Sequence, residues 1–161
     1  MSKSNSNKSS NATGALITTN KNASRNYALM ERFEAGIVLL GTEVKSIRQG
    51  NSHINDAYGT LRNGQVYLEN MHIGPYTHGN RFNHEPRRTR KLLLNKSEIK
   101  KLIGAIVEKG FTLVPVKMYW LKGRAKVELA LGKGKTKGDK RDDAKKATAR
   151  REIDQAIKRS R

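Results

Sequence analysis

Apolar and polar positions along this chain change period several times, and each change marks a short element. Leu16 to Thr19 suits a short edge strand. From Ser24 to Phe33, Tyr27, Leu29, Met30 and Phe33 follow Ser24 as an N-cap, which predicts a short helix. Gly36 to Gly41 is a continuous apolar run between glycines and predicts a buried strand. Thr42 to Gln49 predicts one or two helical turns, with Thr42 as N-cap, Val44 and Ile47 three apart, and Gly50 as the stop.

His53 to Arg62 and Gln65 to Ile73 read as strands joined by Asn63-Gly64, a dipeptide suited to a tight hairpin. In the second run Val66, Leu68 and Asn70 alternate with Tyr67, Glu69 and Met71, as on a half-exposed strand. Gly74 to Thr89, with Pro75, Pro86 and several arginines, reads as a long, basic, mobile loop. Arg90 to Leu94 is a short strand. Asn95 then opens a helix with Glu98 as its capping-box partner and Ile99, Leu102, Ile103 and Ile106 as its apolar stripe, ending at Gly110. Phe111 to Leu121 and Arg124 to Leu131 form a second hairpin around Lys122-Gly123.

These elements predict a mainly β chain with some α: a small, OB-type antiparallel β-barrel of about six strands with three short helices. Closure is favoured over an open sheet because it removes exposed edges. Composition divides the chain into a disordered arm (1–15), a barrel domain (16–132) and a basic tail (133–161).

Charge changes the picture most. The chain has 161 residues, with 33 Lys and Arg against 14 Asp and Glu, for a net charge of +19. The first 25 residues carry +4 and the tail +7, which leaves +8 on the barrel itself. A basic body with two basic arms points to a polyanion, above all nucleic acid. The longest apolar run is far too short to span a membrane, which leaves nucleic acid favoured over a membrane surface. With no Cys, disulfides and thiolate metal sites are excluded, and a reducing, cytoplasmic setting is expected. Nothing suggests a stable oligomer, so a monomer is expected.

The tail holds no apolar residue larger than Ala except Ile153 and Ile157, too little to fold alone. Yet Asp139, Asp142 and Asp143 stand where a helix begins, and Lys158, Arg159 and Arg161 where it ends, matching the helix dipole. It is therefore expected to be disordered alone and helical when bound to a polyanion, where released counterions drive binding.

No catalytic constellation emerges, and no enzyme, metal or cofactor is expected. His53, His72, His78 and His84 lack a metal-binding pattern. Gly134-Lys135-Thr136 resembles the end of a phosphate-binding loop, but Leu129 stands where its first glycine belongs. Glu31, Glu34 and Glu43 read as solvated ion-pair partners. Tyr119 and Trp120 lie on opposite faces of one strand. Tyr27, beside Arg25 and Arg32, is the better candidate for base stacking. On this reading alone, a general single-strand nucleic-acid-binding barrel and a ribosomal structural protein both stay open.

Four strings narrow the choice: Phe33 to Gly36 (FEAG), Gly41 to Arg48 (GTEVKSIR), Arg88 to Asn95 (RTRKLLLN) and Gly134 to Arg141 (GKTKGDKR). Together, in this order, they resemble the small protein B family, the SsrA-binding proteins of bacterial ribosome rescue, over about Leu16 to Arg161. The resemblance implies an adaptor that binds the tRNA-like domain of transfer-messenger RNA and delivers it to stalled ribosomes, with elongation factor Tu in the delivery complex. It implies a tail that meets small-subunit rRNA at the decoding centre and takes the place of a codon–anticodon duplex. By position, Asn20, Glu34, Leu93 and Lys126 would face RNA. Gly138, Asp139, Lys140 and Arg141 would act at the decoding centre, and Ile153 and Ile157 would anchor the tail helix. Gly138 departs from the family, where many members carry an aromatic or His that can stack.

Overall fold

The computed structural model describes residues 15–78 and 82–159, apart from the side chains of Lys137 and Asp139. The expected arm over 1–15 lies outside these residues save for Ala15. Asp139 is placed by its backbone alone.

The chain opens with β1 (Leu16–Thr19), α1 (Ala23–Asn26) and β2 (Tyr27–Ile37), followed by α2 (Gly41–Arg48) and the short β3 (Ser52–His53). A hairpin of β4 (Tyr58–Arg62) and β5 (Gln65–Glu69) leads to β6 (His72–Ile73) and β7 (Arg90–Leu93). The helix α3 (Lys96–Ile103) runs on into one π-turn, Gly104–Glu108. The long hairpin of β8 (Thr112–Leu121) and β9 (Arg124–Gly134) then hands over to α4 (Lys137–Arg159).

Strand pairing runs β8-β4-β5-β7-β2-β9 and back to β8, so six antiparallel strands close a ring. β1 adds to the part of β8 that β4 leaves open. Alternation sends Phe33, Ala35 and Ile37 of β2, Leu92 of β7 and Val127, Leu129 and Leu131 of β9 into one core. Ile47 of α2 and Leu102 of α3 join that core. Both hairpins turn as their sequences predict. Asn63 and Gly64 have φ of 50° and 71°, and Lys122 and Gly123 have 49° and 75°.

Several local expectations are corrected. The helix expected over Ser24 to Phe33 is confined to Ala23–Asn26, and from Tyr27 on the chain is strand. Its apolar positions fit either period. Pairing with β9 from Tyr27 to Gly36, and with β7 at Gly36 and Ile37, decides for strand. The apolar run after Gly36 leaves the sheet at Ile37, and Val38 and Leu40 are exposed. Gly41 opens α2, so Thr42 is not its cap. Glu43 instead accepts the backbone N–H of Leu40 at 2.8 Å, and the Thr42 hydroxyl bonds His84 Nδ1 at 2.9 Å. A turn at Ile54 to Ala57 splits the expected strand over His53 to Arg62. Asn95 holds the N-cap position of α3 without a side-chain cap bond, and Ile103 is 37% exposed rather than buried with its stripe.

The segment from Gly74 to Thr89, expected as a loop without structure of its own, is tied down by hydrogen bonds where it is described. Asn83 bonds both backbone groups of Tyr76, and buried His84 reaches the carbonyl of Ile73 at 2.9 Å. Residues 79–81 lie outside the described set.

Glu43 is the largest correction. Expected in solvent, it is fully buried against Arg90, which is also fully buried. Arg90 gives its Nε–H to Glu43, Nη1 to the carbonyl of Met71 at 2.7 Å and Nη2 to that of Pro86 at 3.2 Å. Arg88 adds a second bond to Glu43 at 2.6 Å. The pair ties α2 to β7 and to the segments around Met71 and Pro86. Burial pushes the Glu43 carboxyl pKa up. The Arg88 and Leu40 hydrogen bonds and the Arg90 charge outweigh it and hold the group below the ordinary carboxylate range.

Candidate nucleic-acid interface

Sheet register assembles a face that sequence spacing does not show. Tyr119 on β8 is paired with Lys126 on β9, Lys126 with Gly36 on β2, and Gly36 with Leu93 on β7. The next row places Lys117 opposite Glu128, and Glu128 opposite Glu34. Because Phe33, Ala35, Leu92, Met118 and Val127 point inward, these rows point outward. Three of the expected RNA-facing residues, Glu34, Leu93 and Lys126, therefore share one surface although 92 positions separate the first from the last. Leu93 is 53% exposed.

The charges of this face are organised. Tyr119, nearly buried, donates its hydroxyl hydrogen bond to Glu34. Burial first, and then the Glu34 carboxylate, push the Tyr119 pKa well above that of a free phenol, so it stays a donor. The bond fixes one carboxylate oxygen of Glu34 and leaves the other as an acceptor. Glu128 lies 3.4 Å from Arg32 and 3.6 Å from Lys117, and the Lys117 ammonium sits 5.8 Å from the centroid of the Tyr119 ring. Two neighbouring acids, Glu34 and Glu128, stand among Arg32, Lys117 and Lys126, so the face can offer both acceptors to RNA base edges or 2′-hydroxyls and cations to phosphate.

Asn20 and Tyr27 lie elsewhere. Asn20 is 7% exposed; its Nδ2 donates to the carbonyl of Pro115 at 2.9 Å and its Oδ1 accepts the N–H of Asn22 at 3.0 Å. In the present fold the first of these bonds ties the end of β1 to β8 and the second holds the turn into α1. Tyr27 starts β2, pairs with Gly134 and lines a cleft of about 340 Å³ together with Asn22, Asn26, Asn55 and Tyr58. Gly132 packs closely there, since a Cβ would stand 3.0 Å from that of Tyr27 and the ring would have to give by a few tenths of an ångström.

The tail begins where β9 ends. Lys135 gives its backbone N–H to Asn26 at 2.9 Å and its ammonium to the carbonyl of Ser24 at 2.8 Å, and it pairs with Asp143 of α4. Gly138, Asp139, Lys140 and Arg141 form the first turns of α4. Ser24 and Arg25 of the body face Lys140, Arg141 and Arg151 across a cleft of about 650 Å³. From Arg141 to Arg159 every residue of α4 is exposed, Ile153 by 60% and Ile157 by 50%.

Register is the signal that brings Gly36, Arg32, Lys117, Glu128 and Tyr119 to this face, and spacing along the chain does not carry it. Among the described residues no three His, Cys, Asp or Glu side chains gather as a metal site. His84 is engaged with Thr42 and Ile73, and His53 and His72 stack with ring centroids 4.8 Å apart. None of the described helices is long and apolar enough to cross a membrane.

Comparison with known proteins bears on this arrangement. The family model described as "SmpB protein" matches residues 17–159. The SsrA-binding protein of Bacillus pumilus is 51% identical over 145 residues, covering 90% of this chain and 93% of its own. That of Geobacter metallireducens is 54% identical over 143 residues, covering 89% and 94%. A chain of the solved structure "tmRNA-SmpB: a journey to the center of the bacterial ribosome" superposes with a TM-score of 0.64 at 43% identity, over 80% of this chain and 94% of that one. With a family match spanning both the barrel and the tail, and relatives more than half identical over about nine-tenths of its length, the chain belongs to the SmpB protein family.

Proposed function

We propose that this protein is a non-enzymatic RNA adaptor of trans-translation. Its relatives carry the name SsrA-binding protein, and its structural neighbour comes from a complex described by tmRNA, SmpB and the ribosome. On this reading the outer face of β2, β7 and β9 holds the tRNA-like domain of transfer-messenger RNA. Lys126 contacts phosphate, Leu93 packs on a sugar or base, and Glu34 accepts a hydrogen bond from a base amino group or a 2′-hydroxyl. Asn20 shapes the adjoining strand junction and Tyr27 offers a stacking surface beside it. The monomeric protein travels in the cytoplasm with its RNA and elongation factor Tu to a stalled ribosome. There α4 enters the decoding centre, where Asp139, Lys140 and Arg141 meet small-subunit rRNA, Ile153 and Ile157 grip the empty mRNA channel, and the tail replaces the codon–anticodon duplex. With Gly138 in the stacking position, charge and the two isoleucines supply the grip.

The observation that carries this reading is the convergence of Glu34, Leu93 and Lys126 on one face by strand register. Its test is binding to the isolated tRNA-like domain against unrelated structured RNA at two salt concentrations, with Glu34→Ala alongside. Selective binding that survives the higher salt and drops about tenfold in the variant is expected. Equal binding of both RNAs that collapses with salt would leave general phosphate attraction.

A further inference from the structure

Gly36 stands at the centre of the outer face, between Lys126 and Leu93. Inside a strand glycine is a poor choice, because it adds backbone entropy and offers nothing to pack. A fold demands it where φ is positive, where a Cβ would clash, or at a bulge. None of these holds at Gly36. Its φ lies outside the left-handed region, and a Cβ would meet Leu93 Cβ at 3.4 Å and Cδ1 at 3.6 Å, an ordinary contact with a half-exposed side chain. Pairing with β9 runs without a break from Phe33↔Leu129 to Gly36↔Lys126. Gly59 shows the opposite case, since its Cβ would fall 2.5 Å from an atom of buried Leu113.

A bare position that nothing inside the molecule requires is reserved for something outside it. We propose that Gly36 is the point of closest approach for RNA, where the ribose-phosphate backbone lies in van der Waals contact with the main chain of β2. Leu93 on one side meets the sugar, and Lys126 on the other meets the phosphate. Both polar backbone directions at Gly36 already belong to the sheet, so contact there is by shape. Glu34, two residues along the same strand face, supplies the hydrogen-bond acceptor. The inference rests on the reading of this face as the RNA site.

Gly36→Ala and Gly36→Val in the full-length protein test it, with thermal unfolding and affinity for the tRNA-like domain measured on the same samples. Unchanged or raised Tm is expected, with affinity reduced about fivefold by Ala and more than about tenfold by Val. Binding that matches the unmodified protein in both variants, or that falls only in step with Tm, overturns the inference. Lys126→Ala and Glu34→Ala run in parallel separate the two levels. If they too bind normally, the whole face is wrong; if they weaken binding while Gly36→Val does not, the close approach alone is wrong.

Discussion

The barrel and the tail are both basic, at +8 and +7, and hold that charge in opposite ways. On the face, acids are interleaved with bases and several are fixed: Glu34 by Tyr119, Glu128 by Arg32 and Lys117. On α4 every residue from Arg141 to Arg159 is exposed, and Lys135 ties the helix to the body through Asp143. A surface whose charges are already placed can read the shape of one RNA. A helix held chiefly by its own backbone can be laid into whatever groove receives it, at the expense of ordering marginal structure. On the proposed reading, the contrast separates a part that selects from a part that conforms.

Removing the tail tests the contrast most severely. The cut belongs after Thr136, because β9 pairs with β2 as far as Gly134. The shortened protein is expected to change by less than about 1 kcal/mol in urea unfolding, since α4 buries little. On the proposed reading it should keep its affinity for the tRNA-like domain and lose delivery of transfer-messenger RNA to stalled ribosomes. Loss of RNA affinity instead would erase the division between selecting and conforming parts.

Glu43→Ala should attack the body alone. It strands the buried charge of Arg90, and the expected loss is about 3–5 kcal/mol in urea unfolding. The same group sets an acid limit. Its folded pKa lies below the unfolded value near 4.5, so its contribution is full above that pH and is lost as pH falls through the lower folded value. Unfolding midpoints across this range should drop less in the Glu43→Ala variant than in the unmodified protein.

Tyr119→Phe makes the smallest change, one oxygen. It should lower RNA affinity by about 1 kcal/mol, roughly fivefold, by freeing Glu34. In a Glu34→Ala background it should do nothing further. An equal loss in both backgrounds would show that the hydroxyl acts on the fold and not through the carboxylate.

How much of this was legible in the sequence depended on the range of the forces involved. The Asn63-Gly64 and Lys122-Gly123 turns are local, and both appear where expected. So does the closed ring of six strands, since hairpins plus one central strand leave few other ways to hide edges. The spacing of Tyr27 to Phe33 suits helix and strand alike, and one strand about a hundred residues later, β9, decides between them. The same holds for Glu43, its partners Arg88 and Arg90 being 45 and 47 residues away. The family strings singled out Glu34, Leu93 and Lys126. Only register showed that they stand together with Tyr119 and Gly36 among them.

One strand serves both halves of the molecule. β9 carries Lys126 near its start and reaches Gly134 beside Tyr27, eight steps or about 27 Å along a single pleated chain. Its length therefore works as a gauge between the selecting surface and the root of the tail. Inserting one residue within it would turn Lys126 or Gly132 to the wrong side of the sheet. An insertion at Thr136, beyond the β9–β2 pairing that ends at Gly134, would leave the register of the barrel as it is and displace the helix against Lys135 and α1. Changes in length over evolution are accordingly expected at that joint and beyond, with β9 itself kept to measure.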